Sequence, residues 1–165
     1  MNKFYFQGYL SSKSRQLLKK TFLKFDLKIV FNKDTNLPCI KLVDEILNPK
    51  NDASSATIGY ADLKNNIAYV KYPFSEPVKS ICFPNAKKIQ NTNLFVLTCL
   101  HEALHLIGIN HCSSPKCVMA KLNCKSSKSG YCLSCLSTQR QIPNLCPICK
   151  KQILLQNPKL NSLPN

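Results

Sequence analysis

The sequence predicts an α/β fold, a small mixed sheet packed on helices, followed by a cysteine-rich segment held together by metal rather than by a hydrophobic core. Three observations carry this expectation. Segments with strand-like and helix-like apolar patterns alternate through the first 107 residues. Residues 94–107 are apolar on almost every face of a helix, which requires a central position. Seven of the ten cysteines lie between Cys112 and Cys149, where Ser, Lys and Pro replace the aliphatic residues.

The elements follow in order. Residues 12–25 read as a basic amphipathic helix, with Leu18, Phe22 and Phe25 at helical spacing among Lys19, Lys20 and Lys24, and with Ser12 or Ser14 as its cap. A short strand is expected at 27–31, a turn at 32–34, and an apolar segment at 40–47 that fits helix or strand; residues 48–55 form a loop. Residues 57–61 and 67–72 carry β-branched and aromatic residues on either side of the polar stretch 62–66, as in a β-hairpin. Pro73, Pro77 and Pro84 break the chain, after which Asn91 or Asn93 can cap the central helix. Beyond the cysteine-rich stretch, residues 150–156 suit a short closing helix.

A chain of 165 residues with 44% hydrophobic residues is sized for one compact domain. Within it the expected organisation is a core at 1–111, a cysteine-rich subdomain at 112–156 and a tail at 157–165. The first residues lack the apolar run of a signal peptide, and no later run reaches the ~18 residues of a membrane span, so a cytoplasmic protein that does not engage membranes is expected. In a reducing compartment, cysteines paired as C-x-x-C are metal ligands rather than disulfides. Cys39, Cys82 and Cys99 are scattered and read as buried thiols. The net charge is +15, and residues 103–165 contain eight Lys and Arg residues but no Asp or Glu, which makes that region a positive surface.

The chemistry concentrates at His101-Glu102-Ala103-Leu104-His105-Leu106-Ile107-Gly108-Ile109-Asn110-His111. Residues four apart on a helix lie one above the other, so His101 and His105 can reach a single zinc ion. Gly108 lacks a Cβ and can take the left-handed conformation that ends the helix, which turns His111 back toward the same ion. Three protein ligands leave a fourth position for water, which the metal activates; Glu102, beside the first ligand, is placed to act as general base. The three histidines are the only ones in the chain, and Glu102 is the only carboxylate after Glu76. Five fixed positions, each matched by chance about one time in twenty, put an accidental string at ~10⁻⁴ in a chain of this length, which favours a metal site over three satisfied core histidines.

The H-E-x-x-H-x-x-G-x-x-H string resembles that of the metzincin metallopeptidases, and its continuation narrows the match. His111-Cys112-Ser113-Ser114-Pro115-Lys116-Cys117-Val118-Met119 resembles the archaemetzincin signature, in which the third ligand is followed by Cys, four residues, Cys, one residue and Met. The resemblance implies a metzincin-like zincin fold and a zinc-dependent peptidase acting on a peptide or protein substrate. It makes Met119 the residue of the Met-turn beneath the catalytic zinc, and it assigns residues 67–72 as the edge strand that receives substrate.

The resemblance also implies a second, structural zinc held by Cys112, Cys117 and a C-x-x-C pair, hence two zinc ions per chain. Cys146/Cys149 is the preferred pair because the helix-compatible segment 150–155 follows it, with Cys132/Cys135 as the alternative; the stretch containing Cys124, Cys132 and Cys135 is then an insertion. Cys132, Cys135, Cys146 and Cys149 could instead close a zinc-ribbon site, leaving Cys112 and Cys117 free. The competing functions are therefore a basic nucleic-acid-binding protein with structural zincs and an inactive peptidase-like protein. Tyr131 is the only aromatic in the cysteine-rich region, which speaks against base stacking and a nucleic-acid partner. A monomer is expected.

Overall fold

Phe4 and Phe6 alternate with Lys3, Tyr5 and Gln7, the period-two pattern of a half-buried strand, and Asn2–Gln7 forms β1. The computed structural model describes residues 1–32, 36–43, 59–71, 91–114, 117–120 and 144–156. Over these residues β1 is followed by α1 (Ser12–Leu23), β2 (Leu27–Val30), β3 (Cys39–Val43), β4 (Gly59–Asp62), β5 (Ile67–Lys71), α2 (Asn91–Leu106) and α3 (Pro147–Leu155). The five strands form one mixed sheet in the order β2-β1-β3-β5-β4. Neighbours are parallel except for β4, which runs antiparallel to β5 with Tyr60 opposite Tyr69.

One face of the sheet presents Phe4, Phe6, Leu27, Ile29, Ile40, Ala68 and Val70, all buried. Both long helices cover it, α1 through Leu18 and Phe22 and α2 through Phe95, Val96, Leu100, Ala103 and Leu104, in a single apolar cluster. Phe22 meets Phe4 edge-to-face at 5.9 Å between ring centres, and Phe95 meets Phe6 in the same manner at 6.3 Å. Each such ring contributes ~1.5–3 kcal/mol through burial, so these pairs fix where the helices lie on the sheet.

The α/β architecture agrees with the expectation, as do the hairpin and the central helix, although that helix already begins at Asn91 and so includes Asn91 and Asn93, the expected caps. β1 was not foreseen, although its alternating phenylalanines are the signal for it. The cap of α1 is Ser11 rather than Ser12 or Ser14: the helix begins at Ser12, and the Ser11 hydroxyl before it accepts the free Ser14 backbone N–H at 3.2 Å. The segment open to helix or strand at 40–47 is strand β3 over its described part. The closing helix begins at Pro147, whose missing N–H and fixed φ suit the first helical position. The expected turn at 33–34 and loop at 48–55 lie outside the described residues. Among the described residues, no helix is long and apolar enough to cross a membrane.

The sheet order also reassigns the edge. Segment 67–71, expected to be the outer strand, pairs on both sides as β5; the last strand beside α2 is β4. A hairpin leaves one arm outside, and which arm is outside depends on the β3–β5 pairing, a contact between segments distant in sequence.

Candidate functional site

Helix α2 places His101 and His105 one turn apart, and its C-terminus supplies the third imidazole. Gly108 adopts φ +82, a conformation that a side chain would strain. Its N–H donates to the His105 carbonyl at 2.9 Å, and the Ile109 N–H donates to the Leu104 carbonyl at 3.0 Å. This pair of bonds is a Schellman motif, and burial of Leu104 and Ile109 in the same core adds its usual apolar contact. The chain leaves the helix sharply and returns His111 to the other two histidines.

The Nε2 atoms of the three rings converge. His101 to His105 and His101 to His111 are each 3.2 Å apart, and His105 to His111 is 2.8 Å. The remaining ring nitrogen of two of them is fixed by the backbone: His101 Nδ1 donates to the Val118 carbonyl and His105 Nδ1 to the Ile109 carbonyl, both at 2.9 Å. A carbonyl only accepts, so Nδ1 carries the proton and Nε2 presents its lone pair. Lone pairs held this close repel one another unless a cation lies among them, and their spacing is near the ~3.3 Å edge of a tetrahedron with ~2.0–2.1 Å bonds. The donor set fits zinc. Burial, followed by the proximity of His105 and His111, brings His101 down to about 3, and burial also lowers His105, so these two imidazoles are neutral, the form that binds metal.

Glu102 follows His101 on the helix and is 7% exposed. Burial pushes its carboxyl up to about 8. Gly59, the first residue of β4, lies directly against it: a Cβ there would be 2.6 Å from Glu102 Oε1 and 2.6 Å from Thr98 Cγ2. A lone glycine opening a strand marks this kind of close approach, and that was the available clue to a position the motif does not include.

A second cluster lies next to the first in sequence. Cys112, Cys117, Cys146 and Cys149 bring their sulfurs within 4.8 Å of one another, and Cys112 to Cys146 is 3.8 Å, close to the ~3.8 Å edge of a tetrahedron with ~2.3 Å bonds. All four are free thiols. Cys117 Sγ accepts the backbone N–H groups of Met119 at 3.4 Å and Cys146 at 3.3 Å. Burial pushes Cys117 up to about 11 and raises Cys149 further. At Cys146 burial also acts upward, but hydrogen bonds from the Cys149 backbone and the neighbouring thiols outweigh it and hold this thiol at about 7. Four crowded thiols thus resist ionising together, and a bound dication removes that resistance. Cys146 and Cys149 are engaged here with Cys112 and Cys117; Cys124, Cys132 and Cys135 lie outside the described residues.

Two candidate metal-binding clusters are therefore present, one of three histidines and one of four cysteines. Met119 is fully buried beside them, and its carbonyl accepts the Cys112 N–H at 2.8 Å. The backbone carbonyls that orient His101 and His105 take the place of the carboxylates that the sequence lacks in this region.

A mixed sheet covered on one face by helices, with an H-E-x-x-H helix and a third histidine after its glycine, is a metzincin-like zincin fold with a cysteine-rich C-terminal subdomain. Comparison with known proteins narrows it. The archaemetzincin of Pyrobaculum aerophilum is 40% identical over 53 residues, which are 32% of this chain and 28% of that protein's length. Three solved structures share the fold across nearly the whole chain. A zinc-dependent peptidase from Methanocorpusculum labreanum matches with a TM-score of 0.58 at 12% identity, covering 93% of this chain and all of the other. The archaemetzincin of Methanopyrus kandleri matches at 0.57 and 16%, covering 96% of each chain. That of Archaeoglobus fulgidus, complexed with malonate, matches at 0.53 and 15%, covering 92% of this chain and 99% of the other. No model of a protein family matches the chain. The sequence match and two of the three fold matches agree in name, each being an archaemetzincin, and the match in sequence spans little more than a quarter of its relative's length.

Proposed function

We propose that this chain is a zinc-dependent metallopeptidase that hydrolyses peptide bonds. The observation that carries the reading is the convergence of three Nε2 lone pairs beside a buried carboxyl on the same helix. His101, His105 and His111 hold the catalytic zinc. When bound, that ion supplies Lewis acidity toward the scissile carbonyl and the attacking water.

The protein's own groups do the rest. Glu102 takes the proton of the attacking water and returns it to the leaving amine; burial alone puts its carboxyl at about 8, and a nearby dication draws it down, so it exchanges protons near neutral pH. The outer edge of β4 meets no further strand among the described residues, and an extended substrate can add to it by backbone hydrogen bonds beside Glu102. Met119, buried in the core one residue after the partner of His101, is the Met-turn residue of this site. Cys112, Cys117, Cys146 and Cys149 hold a second, structural zinc, which organises residues 112–156 next to the catalytic core 1–111, with 157–165 as a tail. A cytoplasmic setting suits these thiols, since reducing conditions keep them free to bind metal.

The test is cleavage of a mixed peptide library by zinc-replete protein, read by mass spectrometry, with Glu102→Ala prepared in parallel. Loss of the base lowers turnover by ~10²–10⁴-fold while zinc content stays at the wild-type level. No products from the wild type, or equal products from both proteins, would overturn the proposal.

A further inference from the structure

The two clusters are joined by more than their neighbouring positions. His111 and Cys112 are consecutive, so one backbone step separates a donor of the histidine cluster from a donor of the cysteine cluster. Val118, whose carbonyl accepts the His101 Nδ1–H, is flanked by Cys117 and Met119. Each of these flanking residues is held by the cysteine cluster or its loop: Cys117 Sγ accepts the N–H groups of Met119 and Cys146, and the Met119 carbonyl accepts from Cys112. A bridge between Cys112 and Ala120 closes the loop, and the Val118 N–H donates to Asn144, two residues before Cys146, at 3.2 Å.

The three histidines therefore differ in what positions them. His105 takes its orientation from Ile109, inside the Schellman turn of its own helix, whose hydrogen bonds involve no cysteine. His101 takes its orientation from Val118, and His111 is tethered directly to Cys112. Among the described residues, the segment 112–120 that sets these two has no regular structure other than the bridge at its ends, and Cys112 and Cys117 tie it to Cys146 and Cys149. Thiols joined only by weak sulfur hydrogen bonds do not fix this segment as firmly as a shared ion does.

On the reading that both clusters bind metal, we propose that the cysteine centre sets the metal affinity of the histidine centre through Val118 and Cys112, so that the two centres load in order, cysteine first. Val118 is a positioning residue in this scheme, acting through His101. Loss of an outer partner of a metal-bound histidine weakens binding by ~10–100-fold, and this is the size of effect expected at the histidine centre when the cysteine centre is disabled.

Cobalt(II) distinguishes the two centres, because thiolate ligation gives an intense charge-transfer band and nitrogen ligation gives only weak visible bands. In a titration of reduced, metal-free, full-length protein, the thiolate band should be complete before the weak bands grow. Cys149→Ser should bind cobalt at the histidine centre ~10–100-fold more weakly than the wild type, whereas Cys149→His, which keeps a Cys₃His donor set, should restore the affinity. Equal histidine-centre affinity in Cys149→Ser and the wild type would overturn the proposal. So would parallel growth of both signals from the first equivalent in the wild type, a result that does not depend on any variant folding. Because peptide cleavage is not read, independent centres in an active peptidase and coupled centres in an inactive protein give distinguishable results.

Discussion

Replacing Gly59 with alanine adds one methyl group against the proposed general base. The new Cβ would lie 2.6 Å from Glu102 Oε1, 2.8 Å from Glu102 Cγ and 2.6 Å from Thr98 Cγ2, where ordinary contact begins at 3.4 Å. Gly59 has no positive φ, so the effect comes from contact and not from backbone strain. Thr98 sits one turn before Glu102 on a helix packed into the core and is itself fully buried, so it has little room to yield. Either the carboxylate or the start of β4 must move by about 0.8 Å, and a misplacement near 1 Å at a reacting group costs up to ~10²-fold in rate. The expected result is a 10- to 100-fold fall in kcat, equivalent to ~1.4–2.7 kcal/mol of barrier, with zinc content unchanged because none of the three histidines is touched. Initial rates on a peptide found in the library screen, with zinc measured on the same samples, provide the assay. Wild-type kcat in Gly59→Ala with full zinc would refute the view that the close approach of β4 positions Glu102.

Other perturbations test the framework around the site. Gly108→Ala forces a side chain into φ +82 and should destabilise the fold by ~1–2 kcal/mol, read as a lower midpoint in denaturant titration; an unchanged midpoint would mean that the Schellman turn relaxes freely. The Glu102 carboxyl titrates at about 8 in the metal-free fold against 4.5 in the unfolded chain, so the fold binds the extra proton between those values. Its contribution is full below pH 4.5 and is lost as pH rises through 8. Metal-free wild type should therefore lose about 1.4 kcal/mol per pH unit relative to Glu102→Gln between pH 5 and 8, and added zinc should flatten that difference by drawing the carboxyl down. Parallel stability profiles for the two metal-free proteins would show that Glu102 is not held in its protonated form.

The string from His101 to His111 was legible because every relation in it is local. Helical spacing puts two imidazoles on one face, and a glycine at the helix end determines how the chain turns, whatever surrounds it. The hairpin at β4 and β5 and the helix α1 are local in the same sense, and alternation of Phe4 and Phe6 would have disclosed β1 as well. What the sequence could not supply depends on segments that meet from far apart. Pairing of β3 with β5 made Gly59–Asp62 the outer strand in place of 67–72, and that placement brought Gly59 onto Glu102. Two C-x-x-C pairs share the same sequence spacing, and only tertiary packing brought Cys146 and Cys149 to Cys112 and Cys117. The partners of His101 and His105 are backbone carbonyls, which every residue carries, so residue identity does not reveal them; the path of the chain through Val118 and Ile109 does.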